Sequence, residues 1–210
     1  MTQTTLSVSF RCPKAIVENA RWRVPEFKWI KDGGHVEVLE KLAYADIPDH
    51  ATVLCRNNAP LFKLAIRLLI EGRSVSVAGT ELGPRIVGIV KKFGEDSMSL
   101  PSLLSAINDW KEEKIANGSK IAEDMAACMK VFAEAGKSLS GAIGYAEHLF
   151  AQEGSIRFST GHKAKGLEFD HVIHIDPWLL KPTEQDKNLY YVIQTRSQNR
   201  YYEVDSVNIH

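Results

Sequence analysis

Residues 51–78 constrain the fold most. Ala51 to Arg56 is a nearly continuous apolar strand pattern ending on a charge. Ala59 to Glu71 carries Leu61, Ala65, Leu68 and Leu69 on one helical stripe, and a stripe of that period buries one face of a helix. Gly72 ends the helix, and Ser74 to Ala78 follows as a second strand. Strand, helix and strand within about thirty residues is a crossover that joins parallel neighbours. The predicted class is α/β, with a parallel sheet flanked by helices.

The remaining pattern extends this frame. Leu6 to Phe10 alternates as a short strand, and Pro13 suits the first turn of a helix running to about Trp22. Val24 to Gly34, with Pro25, Gly33 and Gly34, is predicted as a loop, and His35 to Glu40 as a strand. Helices are expected over Ile86–Phe93, Leu100–Ile115, Ile121–Ala135 and Leu139–Ala151, punctuated by Gly94, Pro101, Asn117-Gly118 and Gly136. Strands return at Ser155–Thr160 and His171–Asp176. A helix from about Thr183 to Gln194 and a strand over Tyr201–Val204 close the chain. The expected organisation is one domain, with an α/β core from 1–82 and 153–210 and a small helical insertion at 83–152.

Composition limits the function. The 210 residues hold 26 basic and 26 acidic side chains, for a formal net charge of zero. Nucleic-acid contact is therefore expected to be local rather than spread over a basic surface. Cys12, Cys55 and Cys128 are odd in number, far apart and without metal-ligand spacing, which argues against a disulfide framework or a zinc site. No apolar run approaches the ~18 residues of a membrane span. A cytoplasmic protein, of a bacterial or phage-infected cell, is the expectation.

The chemistry concentrates in Ser159-Thr-Gly-His-Lys-Ala-Lys-Gly-Leu-Glu-Phe169. This run follows a strand, and in parallel sheets ligands bind at carboxyl ends of strands. A Thr, a His, two Lys and two Gly offer hydroxyl, imidazole, ammonium and backbone donors to phosphate. Glu168 suits a sugar hydroxyl instead. The string resembles motif V of the UvrD/Rep-type superfamily 1 DNA helicases, T-x-H-x-x-K-G-L-E-F. Thr160, His162, Lys165, Gly166, Leu167, Glu168 and Phe169 fall on that pattern. The resemblance implies that Thr160, His162 and Lys165 lie near single-stranded DNA. It also implies that Gly166 and Glu168 face ATP, with Glu168 on the ribose.

Two arginines extend the resemblance. Leu189, Tyr191, Val192, Thr195, Arg196 and Ser197 match motif VI, L-x-Y-V-A-x-T-R-[AS], although Ile193 replaces the usual Ala. By resemblance Arg196 is an arginine finger, a fixed guanidinium for charge building on the γ-phosphoryl group. Ser9-Phe-Arg-Cys12 resembles motif IV, N-Y-R-S, which puts Arg11 at the γ-phosphate as well. Val53-Leu-Cys-Arg-Asn-Asn-Ala59 resembles the segment V-L-x-R-T-N-A. There Arg56 and Asn58 would meet a DNA phosphate, and Asn58 also reads as a plain helix cap.

No G-x-x-x-x-G-K-[ST] loop is present. Gly136-Lys-Ser138 imitates only its tail, after a helical pattern rather than a strand. Nor is there an Asp-Glu pair for magnesium. The resemblance therefore implies the second RecA-like motor domain of an ATP-dependent DNA helicase. ATP with Mg would be held mainly by a first RecA-like domain of the same polypeptide. The isolated chain is expected to be inactive as an ATP hydrolase. The alternative is a non-catalytic half-motor that binds DNA or a partner helicase and regulates it. Trp22, Trp29 and Trp178 could stack on bases or serve as core and loop anchors. Trp110 reads as core of the insertion, and His171 and His174 read as structural.

Overall fold

The computed structural model describes residues 8–79 and 81–208. It has the expected class, with helices around parallel strands. Backbone contacts divide it into two compact units, 1–56 with 159–210, and 57–158. The second unit is wider than the predicted insertion at 83–152. It also takes in the helix of the opening strand–helix–strand pattern, because that helix packs on helices of the insertion.

In the first unit, β1 (Val8–Ser9) and β2 (Lys28–Trp29) form a small parallel pair. Leu6 and Ser7 of the predicted first strand lie outside the described residues. Between the pair runs α1 (Lys14–Ala20), with Pro13 at its N-cap, φ −72°. It ends before Trp22 because the backbone turns at Arg21 and Arg23, whose N–H groups donate to Glu18 and Ala20. The predicted loop thus holds β2. Here Trp29 lies under two cations, Lys14 at 5.5 Å and Arg21 at 5.0 Å from its ring centre.

The larger strands of this unit are β3 (His35–Ala43), β4 (Thr52–Cys55), β7 (Phe169–Ile175) and β8 (Ser197–Asn208). They lie side by side in the order β3-β8-β7-β4, all parallel. β3 and β8 both outrun the predicted spans, because they pair with each other from His35↔Arg200 to Ala43↔Asn208. The helix α7 (Glu184–Gln194) is the crossover from β7 to β8. Its Leu189 and Ile193 join Ile16, Val17, Leu54, Val172 and Tyr201 in the core.

The same unit buries a polar cluster. The Tyr190 and Tyr201 hydroxyls donate to Glu203 at 2.6 and 2.8 Å, and His174 Nδ1 is 3.0 Å from the Tyr201 oxygen. Tyr201 has one proton, and Glu203 takes it, so His174 Nδ1 must be the donor. Its buried Nε2 has no hydrogen-bond partner among the described residues. His174 is fully buried among these bonds, as its reading as a structural residue expects.

The second unit contains α2 (Asn58–Ile70), β5 (Val75–Val77), α3 (Leu82–Val90), α4 (Leu100–Ala116), α5 (Ala122–Gly136) and α6 (Leu139–Phe150). Phe62, Phe132 and Phe150 meet at its centre, with ring centres 5.3–6.2 Å apart. β6 (Ile156–Thr160) is shared between the units. Its first residues pair with β5, Val75↔Ile156 to Val77↔Phe158. Beyond its last residue, Gly161 N–H donates to Cys55 O at 2.9 Å.

Gly136-Lys-Ser138 is a helix-to-helix turn. Lys137 is left-handed, φ 61°, and the Ser138 hydroxyl accepts from Gly141 N–H as the cap of α6. A phosphate-cradling loop needs a strand before it, and here α5 stands in that place. Among the described residues no helix is long and apolar enough to cross a membrane.

Candidate functional site

Two backbone ties gather the charged residues of the first unit. Phe169 N–H donates to Arg196 O at 2.9 Å, which sets Glu168 beside residues 196–198 as β7 and β8 begin. The Cys12 thiol contacts Thr195 O at 3.4 Å, which fixes the Arg11 turn to the end of α7. That turn is closed by Ser9, whose hydroxyl accepts from Cys12 N–H at 2.8 Å. Arg11, Glu168 and Arg196, more than 150 residues apart in the chain at their extremes, thus form one cluster.

Within it Arg11 Nε donates to one oxygen of Glu168, and the Gln198 amide donates to the other. The hydrogen bond from Arg11 is the main reason the Glu168 carboxyl is held below the usual carboxylate range. Arg196 is folded back on its own turn. Its Nε donates to Val192 O at 3.0 Å and its Nη1 to Leu167 O at 3.1 Å. Burial first, then the Arg11 charge, lower the Arg196 pKa. An open cleft of about 600 Å³ borders the cluster, with Phe10, Arg11, Lys31, Glu168 and Gln198 in its wall. Phe10 is 71% exposed there. The wall thus offers cationic donors, one carboxylate acceptor and an exposed ring to an anionic ligand that carries hydroxyl groups. Gly166, φ +83°, takes a backbone conformation that side chains rarely adopt.

A second cluster lies at the end of β4 and after β6. Residues 160–167 fold into successive turns, with Ala164 N–H donating to Thr160 O and Leu167 N–H to Ala164 O. Thr160 is buried, His162 half-buried, and Lys165 exposed. Burial first, then the Arg56 and Lys165 charges, lower the His162 pKa. Arg56 Nε donates to the buried carboxylate of Asp186 at 2.9 Å.

Asn58 belongs to the second unit. Its side-chain amide donates to Asp124 at 2.8 Å, and its backbone N–H points to the same carboxylate at 3.3 Å. Asn57, not Asn58, takes the N-cap position of α2. The structure therefore assembles Arg11, Glu168 and Arg196 in one cluster and Arg56 and His162 in another, and commits the Asn58 amide to Asp124. Trp22 hydrogen-bonds Gln194 at 2.8 Å, a loop-anchor role, while Trp178 is 67% exposed.

Gln198 and Asp186 escape the sequence reading. Gln198 lies two residues past the motif VI arginine, and Asp186 looks like any acid in a helical first turn. Neither position carries a local pattern that announces its partner.

Residues 155–202 match the family model of the UvrD-like helicase C-terminal domain. This segment carries the UvrD-like helicase C-terminal pattern. The UvrD-like match spans β6, β7, α7 and the start of β8, and so contains both Glu168 and Arg196. The chain is also similar to a solved structure, the C-terminal domain of a possible DNA helicase from Lactobacillus plantarum WCFS1. That similarity has 13% identity, a TM-score of 0.46, and covers 93% of this chain and 87% of the other. No curated protein sequence matches the chain.

Proposed function

We propose that this UvrD-like chain is the second motor domain of an ATP-dependent DNA helicase, completing an ATP site and gripping single-stranded DNA. The observation that carries the reading is the cluster of Arg11, Glu168 and Arg196, three segments brought together beside a cleft whose wall holds Arg11 and Glu168. ATP with Mg would supply the phosphoryl bond whose cleavage drives movement, and a P-loop domain would hold most of it. This chain would add three groups from the other side. Glu168 accepts from a ribose hydroxyl. Arg11, exchanged from Glu168 to phosphate, reports whether the γ-phosphoryl group is present. Arg196 leaves the carbonyls of Val192 and Leu167 and neutralises charge that builds during transfer.

That exchange is easy, because Arg11 and Glu168 are both substantially exposed, with side-chain accessibilities of 30% and 39%, and solvent screens such pairs. Thr160, His162, Lys165 and Arg56 would form the DNA track. Successive closing and opening against the first domain would shift the grip along the strand.

The test joins the chain to a P-loop motor domain and compares wild type with Arg196→Ala. Loss of an arginine finger lowers kcat by roughly 10³-fold or more, with little change in ATP affinity expected. Equal turnover in the two proteins sinks the finger role.

A further inference from the structure

Asp186 is an unusual acid for the first turn of a helix. It is only 5% exposed, and a buried carboxylate persists only where hydrogen bonds replace its water. Its partners are all present. Oδ1 accepts from Arg56 Nε at 2.9 Å and Oδ2 from Lys181 N–H at 3.0 Å. Its own N–H donates to the Thr183 hydroxyl at 3.2 Å. The carboxylate is thus fixed by backbone, through the turn that starts α7, before any ligand arrives.

Arg56 is held at one atom only. Its Nε is committed to Asp186, and among the described residues no acceptor meets Nη1 or Nη2. A guanidinium anchored through Nε keeps its orientation and retains terminal donors for a bidentate contact. The side chain is 30% exposed, so those donors are open to solvent. The neighbours are donors too. His162 and Lys165 lie close enough for the Arg56 and Lys165 charges to lower the imidazole pKa. The Arg56 guanidinium, held by one buried carboxylate, thus keeps a fixed free edge toward solvent that suits an external anion.

We infer that Asp186 is a positioning residue that aims the free edge of Arg56 at one backbone phosphate of single-stranded DNA. The inference rests on the DNA-gripping reading above and adds the group that organises the grip. It also gives α7 a second duty. The helix carries Asp186 near its first turn and leads directly into Arg196, so one rigid element bears on both clusters. Gly161 strengthens that link, since a Cβ there would come within 2.6 Å of Ile193 and 3.0 Å of Leu189.

The experiment measures binding of a fluorescent oligo-dT to the full chain across a salt series. It compares wild type, Asp186→Asn, Arg56→Ala and the double variant. Asn is isosteric and keeps an oxygen for Lys181 N–H, and thermal melts report whether each variant is folded. Removing one phosphate interaction should flatten the plot of log affinity against log salt by about 0.7. Affinity at low salt should fall about tenfold for Asp186→Asn, as expected when an aimed charged hydrogen bond is removed. Arg56→Ala should give the same two changes, and the double variant should be no worse than Arg56→Ala. A merely structural Asp186 would weaken binding additively with Arg56→Ala and leave the salt slope alone, which overturns the inference. Wild-type binding with an unaffected Asp186→Asn overturns it too, while the DNA-gripping reading survives. No oligo-dT binding by the wild-type chain overturns both.

Discussion

At the scale of single residues, His162 shows how neighbours set chemistry. Its imidazole is half-buried, and burial comes first among the causes that lower its pKa, followed by the Arg56 and Lys165 charges; only Asp186 acts the other way. The neutral ring, with one donor and one acceptor nitrogen, is therefore the form favoured at neutral pH. The linkage has a definite sign. Where the folded pKa lies below the unfolded one, the unfolded chain binds more protons, so stability rises with pH. The contribution is complete above the ordinary histidine value of about 6.5 and is lost as pH falls toward the lowered one. Proton NMR of the ring should give a midpoint below that of a free histidine. Arg56→Ala should move it upward, because a repelling cation is removed. An unchanged midpoint in Arg56→Ala would show that Arg56 does not face His162.

At the scale of elements, α7 and the turn after β6 depend on one small residue. Gly161 follows Thr160, and an added Cβ would come within 2.6 and 2.7 Å of Ile193 side-chain atoms. Ile193 is fully buried and Leu189 nearly so, so neither has room to retreat without moving α7. Gly161→Ala should cost about 1–3 kcal/mol by overpacking, read as a lower midpoint in urea unfolding. A variant as stable as wild type would mean that α7 shifts freely, and the contact would not position Arg196.

The same elements show what local pattern reveals. β4 and the helix after it are legible at 51–71 because the apolar period changes from strand to helix there. Glu168 and Arg196 stand out because motif residues cluster around them. β2 is hidden, since two residues, Lys28 and Trp29, show no alternation and gain their strand character from pairing with Val8 and Ser9. Gln198 and Asp186 are hidden because their roles arise from residues 30 and 130 positions away, and no period in the sequence encodes such distances. Asn58 reads as a helix cap from its position alone, yet Asn57, with its extended backbone, takes that place.

At the scale of the whole chain, charge balance and the missing phosphate loop make a joint argument. Twenty-six cations against twenty-six anions leave no general field to attract DNA, so any grip must come from local groups such as Arg56, His162 and Lys165. The same logic applies to ATP. In the proposed role Arg11 and Arg196 stabilise charge on a phosphoryl group, but stabilisation accelerates a reaction only if the substrate is already held in line. The sequence contains no glycine loop with its Lys and Ser/Thr to do that holding, and Gly136-Lys137-Ser138 is spent on a helix turn. The 210-residue chain alone should therefore release phosphate from ATP at the background rate, with or without oligo-dT. Addition or fusion of a P-loop motor domain should restore turnover, and oligo-dT should raise it further. The two halves of the result discriminate between readings. Restoration that disappears in Arg196→Ala places the chain within the ATP site. Robust, DNA-stimulated phosphate release by the chain alone would mean that this fold holds ATP without a P-loop, and the division of labour between two motor domains would be wrong.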